Sequence, residues 1–495
     1  MTDAPLAAAP PRAGAAPLVA VLAGAAAALG QAPWNLWWLA LPAFAVLLRA
    51  VARAPHPVLA AWLGGLAHFV VALHWIAEPF LVDAAVTGWL APVAVAATCA
   101  GMALFWAAGA GGGRRLLGGP LGAAVGLGLA ELLRSYLLTG FPWALPGHVL
   151  IGSPALPAAS LLGAHGLGLL VLLGAGAAGR GTAGGLLAAA ALWAAPLVVG
   201  TLLPPAPPPE AEAPVVRLIQ PNAPQHLKWD PDWIATFFER GLALSQGSGR
   251  FDAVVWPETA LPRLLESADD LRPMLARASR GAPVAIGVQR IDEGGAPRNA
   301  MALLEGPEGA LAHVYDKHRL VPFGEFLPLP GLFAALGFGP LASQLAGAFA
   351  SGPGAEVFAL PGIGPVLPLI CYEAIFPQDL VRLRPRPRVV LHLTNDAWFG
   401  AGAGPRQHLA LTRLRAAESG LPVLRAANTG ISAAIDARGR VLAALPLNEA
   451  GVLDAPAPPA LPPTPYGRTG DWPAFGAFLA LALGLLAANR QTRRA

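Results

Sequence analysis

Cys371 is the residue of this sequence whose type and position point most directly to chemistry. It follows the apolar run 366–370 and precedes Glu373 by two positions, and the other cysteine, Cys99, lies in a long apolar segment. A cysteine thiolate attacks carbonyl carbon when a neighbouring group removes the thiol proton. A cysteine after Leu-Ile is also commonly a small buried apolar residue, so Cys371 becomes a candidate nucleophile only if it has partners.

Two other motifs supply such partners. Glu258 follows Val-Val-Trp-Pro at 254–257, and Lys317 and Glu325 lie in Tyr-Asp-Lys-His-Arg-Leu-Val-Pro-Phe-Gly-Glu-Phe at 315–326. A carboxylate can act as general base toward the thiol, and an ammonium stabilises the oxyanion of an acyl-transfer intermediate. Each residue alone also has a purely structural interpretation. Glu258 could cap a helix, Lys317 could lie on a solvated face, and Tyr372, which follows Cys371, could belong to the core. Their joint occurrence in this order indicates catalysis.

An α/β domain must position these residues. Strand-like runs alternate with helical patterns from Val215 onward, which predicts a domain over 215–454 in which strand ends gather at one edge. Examples of the predicted strands are 215–219, 253–255, 284–288, 364–370 and 389–393, and the predicted helices are about 231–247, 267–279 and 405–419.

The chain as a whole has the composition of a membrane protein. It is 55% hydrophobic and 13% charged, whereas soluble domains average about 25% charged residues. Eight apolar segments approach the ~20 residues that a membrane-spanning helix needs. They are 15–31, 34–51, 57–77, 86–110, 117–138, 155–178 and 183–203, within a predicted membrane domain 1–203, and a closing helix at 472–488.

Charges between these segments predict the topology. Arginines flank the first, second, fourth and sixth segments, and the tail 490–494 is basic. The positive-inside rule therefore places both termini in the cytoplasm and the domain 215–454 outside it. The segment 327–349 is uncharged but rich in Pro and Gly, so we interpret it as an apolar arm that lies on the membrane surface or is buried against the domain.

The charge and the histidine spacing argue against nucleic acid, a metal ion and a cofactor as partners. The net charge is only +4 and the arginines cluster at segment ends, so nucleic acid is not expected. No histidine spacing is typical of a metal site, and neither a metal nor a cofactor is expected. Of 33 basic residues only Lys228 and Lys317 are lysines, so a lysine here carries more information than an arginine.

The motifs together resemble a known family. Trp-Pro-Glu-Thr, the Lys317 motif, Cys-Tyr-Glu and Leu-Thr-Asn-Asp-Ala-Trp-Phe-Gly are similar to signatures of the nitrilase, or carbon–nitrogen hydrolase, superfamily. The flanking apolar segments make the whole chain resemble its membrane branch, the apolipoprotein N-acyltransferases. The resemblance implies an αββα sandwich and a Glu-Lys-Cys triad.

Matched by motif, the resemblance assigns Glu258 as general base, Lys317 as oxyanion stabiliser and Cys371 as nucleophile. It thereby moves the role of base away from Glu373, which is the carboxylate nearest to Cys371 in sequence. The supporting or substrate-binding residues that it implies are Trp229, Glu325, Tyr372, Glu373, Asn395 and Trp398.

The implied reaction proceeds through two half-reactions. Cys371 takes an acyl chain from a phospholipid as a thioester, and the amine of an S-diacylglyceryl-cysteine apolipoprotein then receives it, in the bacterial inner membrane. Two alternatives stay open. One is a membrane-tethered amidase or nitrilase that hydrolyses a small C–N substrate, although eight membrane segments are more than a simple tether requires. The other is a non-catalytic membrane carrier or scaffold.

Overall fold

The computed structural model describes residues 15–335 and 349–494. Apolar helices form the N-terminal part and return at the C-terminus. They begin and end as follows: α1 Ala16–Ala28, α2 Trp37–Arg53, α3 Pro57–Leu73, α4 Glu78–Leu81, α5 Ala84–Thr87, α6 Leu90–Trp106, α7 Gly112–Leu117, α8 Gly119–Tyr136, α9 Ala159–Gly179 and α10 Ala183–Leu202.

Helices lie at all eight predicted membrane segments, but the count of eight spans is not confirmed. Among the described residues, five helices are long and apolar enough to cross a bilayer. Helices α1 and α2 are only 13 and 17 residues long, and α8 carries the buried ion pair of Glu131 with Arg134. The five are Pro57–Leu81, Leu90–Leu117, Leu156–Gly179, Ala183–Leu202 and Trp472–Gln491.

The middle of the chain is an α/β domain. Its strands are β1 Val215–Gln220, β2 Ala253–Val255, β3 Val284–Ile291, β4 Pro297–Glu305, β5 Ala310–Asp316, β6 Phe358–Leu360, β7 Gly364–Ile370, β8 Val389–Thr394, β9 Val423–Ala427, β10 Ala433–Ile435, β11 Val441–Ala444 and β12 Gly451–Pro456. The remaining helices are α11 Ile234–Gln246, α12 Leu271–Ala278, α13 Pro330–Ala335, α14 Ala403–Ser419, α15 Pro465–Thr469 and α16 Trp472–Arg494.

The described strands form two six-stranded sheets of matching topology. The first sheet has the order β12-β1-β2-β3-β4-β5 and the second β11-β10-β9-β8-β7-β6. In each sheet three consecutive strands are parallel, β1-β2-β3 in the first and β7-β8-β9 in the second, and the outer neighbours pair with them antiparallel. The two sheets therefore direct the ends of their parallel strands toward a shared region.

Three apolar layers explain why the predicted strands read as continuous apolar runs. Leu218 and Val255 of the first sheet pack with Leu391 of the second in the core between the sheets. Side chains alternate along a strand, so neighbours such as Val254 pack outward under α11 and α12, and Val390 packs outward under α14. This is the αββα sandwich expected from the sequence.

Helix α14 belongs to two cores. Ala416 packs on the second sheet, whereas Leu411 and Leu414 belong to the cluster formed by the apolar N-terminal helices. Of the predicted apolar arm 327–349, residues 336–348 lie outside the described residues, and α13 occupies part of the described remainder.

Candidate active site

A buried group of acids and amides surrounds Lys317. Lys317 Nζ lies 3.0 Å from Glu258 Oε1 and 2.9 Å from Glu325 Oε1. Asn299 Nδ2 donates to the same two oxygens, at 2.8 Å each. We call Glu258, Lys317, Glu325 and Asn299 the acid–lysine cluster. Lys317 is 1% and Glu258 5% exposed, so these interactions act in a medium that screens charge far less than water does.

Strand ends bring this cluster together. Lys317 directly follows β5, and Glu258 lies in the turn after β2. That turn lies against β3, because a Cβ on Gly287 would stand 2.4 Å from Pro257 O and 2.5 Å from Glu258 Cα. The backbone N–H of Asn395, which follows β8, donates to Glu258 Oε2 at 2.9 Å. Both carboxylate oxygens of Glu258 are therefore held in place.

Cys371 directly follows β7 in a left-handed backbone conformation, with φ of 50°. Such a conformation is uncommon for a residue other than glycine and often marks a functional position. Its carbonyl accepts hydrogen bonds from His392 Nε2 and His408 Nε2, both at 3.1 Å. Asp396 lies behind this pair, 2.8 Å from His408 Nδ1 and 2.5 Å from Arg425 Nη2.

The charges of the cluster determine how Cys371 ionises. Burial raises the pKa of the Cys371 thiol, and the Glu258 carboxylate raises that pKa further, while Lys317 lowers it. Burial alone would raise the pKa of Glu258, but Lys317, together with a hydrogen bond from Asn299, lowers that pKa below 4.5. At neutral pH the resting pair is therefore a thiol beside a carboxylate, which leaves the proton transfer for the reaction itself.

Lys317 stays charged despite its burial. Burial lowers the pKa of its ammonium, but Glu258 and Glu325 raise that pKa well above 10.5. The Lys317 ammonium has three N–H groups, and the Glu258 and Glu325 carboxylates accept hydrogen bonds from it. A fixed positive charge thus acts on the Cys371 thiol.

Glu373 lies in a different environment from Glu258. Its carboxylate is fully buried and accepts from Tyr315 Oη at 3.0 Å, from His318 N at 2.7 Å and from Ile370 N at 2.7 Å. These contacts join the end of β7 to the segment that follows Lys317. Glu373 is therefore placed to hold the backbone on both sides of the site.

The other predicted residues lie around the centre at different depths. Asn395 is buried and its side chain bonds Gln225 and Asn428, at 2.8 and 2.9 Å. Tyr372 is buried in the cluster of the apolar helices. Trp229 and Trp398 are each 41% exposed, which leaves their rings accessible to a large apolar ligand.

Several residues of the site could not be identified from the sequence motifs. Asn299 lies on β4, which was not among the predicted strands, and a single Asn matches no motif. His392 and His408 contact the backbone carbonyl of Cys371 and not its thiol. Among residues 15–335 and 349–494, no three His, Cys, Asp or Glu side chains are grouped so that they could hold a metal ion.

One residue of α14 fastens the sandwich to the apolar helices. Gln407 Oε1 accepts from Trp75 Nε1 at 3.0 Å and Trp143 Nε1 at 2.7 Å. Its Nε2 donates to Ala32 O at 3.0 Å and Ala72 O at 2.9 Å. The amide thereby uses four hydrogen bonds, all directed to the N-terminal part of the chain. Its neighbour in sequence, His408, contacts the backbone of Cys371.

A second contact is formed by a carboxylate at the other end of α14. Glu418 Oε1 accepts from Ala164 N at 2.8 Å, and Glu418 Oε2 lies 2.7 Å from Arg415 Nη2. Burial raises the pKa of Glu418 to about 7. The junction between the two parts of the chain therefore contains a titratable group.

Comparison with known proteins identifies both parts of the chain. Residues 23–177 match the apolipoprotein N-acyltransferase N-terminal domain, and residues 216–461 match carbon–nitrogen hydrolase. A solved carbon–nitrogen hydrolase from Helicobacter pylori G27 is 16% identical, with a TM-score of 0.37, over 49% of this chain and 89% of that chain.

Relatives align over nearly the full length. The apolipoprotein N-acyltransferase of Rhodopseudomonas palustris is 37% identical over 92% of this chain and 92% of the relative. That of Caulobacter vibrioides is 38% identical over 94% of this chain and 93% of the relative. With this identity over both parts, the chain belongs to the apolipoprotein N-acyltransferase family.

Proposed function

We propose that this protein transfers an acyl chain from a membrane phospholipid, through a thioester on Cys371, to the N-terminal amine of an S-diacylglyceryl-cysteine apolipoprotein. The observation that carries the proposal is the pairing of Glu258 with Lys317 beside the buried Cys371 thiol. The sandwich that carries this group is fastened to apolar helices, so a lipid-borne ester is the substrate class that fits the site best.

In the first half-reaction Glu258 removes the thiol proton of Cys371 while Sγ attacks the ester carbonyl of the phospholipid. Lys317 stabilises the oxyanion of the tetrahedral intermediate. The intermediate collapses to an acyl-thioester, and the departing lysophospholipid oxygen takes the proton from Glu258. The lowered pKa of Glu258 supports its role as base.

In the second half-reaction the free amine of the apolipoprotein cysteine attacks the thioester carbonyl. The carbon–sulfur bond breaks as the amide forms, Glu258 takes a proton from the amine, and Glu258 passes that proton to the departing Cys371 Sγ, which restores the thiol. A thiolate is a better leaving group than an alkoxide, so the thioester is well suited to aminolysis.

The remaining predicted residues, together with Asn299, have supporting roles. Glu325 and Asn299 hold Lys317 and Glu258 in place, and Tyr372 and Glu373 fix the backbone around Cys371. Asn395 orients Glu258 through its N–H. The exposed rings of Trp229 and Trp398 are proposed to contact lipid substrate.

The proposed arrangement in the cell follows from the charges and apolar segments. Residues 1–203 form a membrane domain, 215–454 the catalytic domain on the outer side of the inner membrane, and 472–488 a closing span. Both termini are cytoplasmic. This topology places Cys371 on the side where lipid-anchored apolipoproteins are proposed to be modified.

The experiment is detection of the thioester. Protein purified in detergent is incubated with phospholipid alone, and Cys371 is expected to gain the mass of one acyl chain, removable by hydroxylamine. Cys371→Ala is expected to gain none, and Cys99→Ala, the matched control, is expected to behave as the wild type. Folded wild type that neither forms the adduct nor transfers the chain to a diacylglyceryl-cysteine peptide would contradict the proposal; ammonia release from an amide would favour the amidase.

A further inference from the structure

Lys228 and Lys317 are the chain's two lysines among 33 basic residues, and both approach the same glutamate. Lys317 Nζ contacts the Glu258 carboxylate at 3.0 Å. Lys228 Nζ donates to the backbone carbonyl of Glu258 at 3.2 Å and to Thr259 Oγ1 at 2.8 Å. Lys228 is 7% exposed. Elsewhere the sequence uses arginine, so the chain retains a compact ammonium at both positions beside Glu258.

The contacts of Lys228 fall on the turn that aims Glu258. Thr259 has a positive φ of 47°, a conformation that a β-branched residue rarely adopts without support. Gly287 already brings β3 against the other side of this turn. The ammonium of Lys228 thus bonds the two residues whose backbone determines where the Glu258 carboxylate points.

Lys228 also completes a balance of charge. Glu258 and Glu325 bring two negative charges into the acid–lysine cluster, and Lys317 supplies one positive charge. Lys228 supplies the second, and its positive charge is among the influences that lower the pKa of Glu258. A buried carboxylate without a compensating charge would bind a proton instead of remaining a base.

We propose that Lys228 is a positioning residue of the catalytic centre, whose ammonium holds the Glu258–Thr259 turn and supplies a second positive charge beside the acid–lysine cluster. This role rests on the proposed function, since it serves the step in which Glu258 takes the thiol proton of Cys371. Lys228 does not contact the reacting atoms; it acts through Glu258.

The surroundings of Lys228 make its charge sensitive to alkaline pH. Burial lowers the pKa of its ammonium to about 8, while the Glu258 carboxylate and, when ionised, Cys371 oppose that shift. Among the described residues, these two are the titratable groups whose charges act on Lys228. It also lines a cleft with an empty volume of about 370 Å³ whose other described walls, including Trp229, Phe237, Trp256 and Asn428, carry no ionisable side chain.

The first test compares Lys228→Met with Arg250→Met, a control that removes an exposed cation of the same domain. The measurement is the single-turnover release of lysophospholipid by detergent-purified protein at pH 7.5. In Lys228→Met the rate constant at saturating phospholipid is expected to fall about 100-fold, the loss typical of a displaced catalytic group. The phospholipid concentration at half-saturation is expected to stay unchanged. Release by Lys228→Met at the wild-type rate would overturn the proposal.

The second test does not depend on the folding of Lys228→Met. Above about pH 9 the wild-type rate is expected to fall about tenfold for each pH unit as Lys228 loses its proton. Lys228→Arg keeps a cation that stays charged, so whatever its rate at pH 7.5, that rate is expected to hold up to pH 10. A wild-type rate that does not decline, or an equal decline in Lys228→Arg, would overturn the proposal. Absence of release by the wild type would instead contradict the proposed function.

Discussion

The two sheets of the sandwich share one topology but have different outer surfaces. Helix α11 on the first sheet buries five of its 13 residues, in a stripe that includes Phe238 and Leu242. Helix α14 on the second sheet buries fourteen of its 17 residues, because the apolar helices cover its other face. The same architecture thus has one half facing outward and the other joined to the apolar helices.

The division extends to the site. The first sheet contributes Glu258, Lys317 and Asn299, the charged and amide groups that would move a proton. The second sheet contributes Cys371 and the helix whose residues contact both its backbone and the apolar helices. The proposed proton transfer and the attachment to the apolar helices are therefore expected to be separable by mutation, and three changes test that separation.

The largest effect is expected on the first sheet, from Glu258→Gln. The amide keeps the size of the side chain but cannot act as base, so thioester formation is expected to fall by about 10²–10⁴-fold. Lys317 keeps its contact with Glu325, and α14 keeps its contacts, so elution of the detergent-solubilised protein is expected to match the wild type. A variant with unimpaired thioester formation would show that another group takes the proton.

The wild-type pH profile adds to this test. The pKa of Glu258 is lowered below 4.5, so the base stays ionised as the pH falls and activity is lost only when the pH passes below that ordinary value. An acidic limit of thioester formation above pH 5 would contradict the assignment.

The next effect is expected at the junction, from Gln407→Leu. It leaves the indole N–H groups of Trp75 and Trp143 and the carbonyls of Ala32 and Ala72 without this partner. At about 1–3 kcal/mol for each buried unpaired group, the free energy of unfolding is expected to fall by several kcal/mol, measured as a lower thermal midpoint in detergent.

The matched control is the same substitution on the corresponding outer helix. Gln246 ends α11 and is exposed, so Gln246→Leu is expected to change the free energy of unfolding by no more than about 0.5 kcal/mol. An equal fall in the free energy of unfolding of Gln407→Leu and Gln246→Leu would show that α14 is not attached more firmly than α11, contrary to their difference in burial.

The smallest effect concerns the pH dependence of the same junction. Glu418 has its pKa raised from 4.5 to about 7 in the folded protein, so the native state binds its proton more tightly than the unfolded state. The resulting stabilisation is fully present below pH 4.5 and is lost as the pH rises to 7. We expect the thermal midpoint of Glu418→Gln to fall less than that of the wild type between pH 5 and pH 8. Parallel pH dependence in both proteins would exclude Glu418 as the cause.

Strand positions were predicted most reliably from the sequence where the strands are buried on both faces. The strands at 253–255 and 364–370 occur at the predicted residues, because continuous β-branched and apolar runs have one good solution in a sandwich. Strand β4 was not predicted, since Pro297, Arg298 and Asn299 at its start resemble a loop. The count of eight spanning helices is not confirmed, because Ala, Gly and Leu make short buried helices as apolar as long ones.

Within the site, motifs located the residues but not all of their partners. The carboxylate nearest to Cys371 in sequence, Glu373, bonds backbone N–H groups, whereas Glu258 reaches Lys317 across 59 positions. Asn299 and Lys228 act through contacts that depend on which strand ends meet. Such pairings arise from sheet order, and no local pattern encodes them.

The adjacency of Gln407 and His408 restricts how the molecule can move. One side chain is fixed in the apolar helices and the next is bonded to the carbonyl of Cys371. A hinge between the sandwich and the apolar helices would have to pull Cys371 out of its left-handed backbone conformation. We therefore expect turnover without relative domain motion, with the exchange of the two lipid substrates governed by side chains and loops at the entrance.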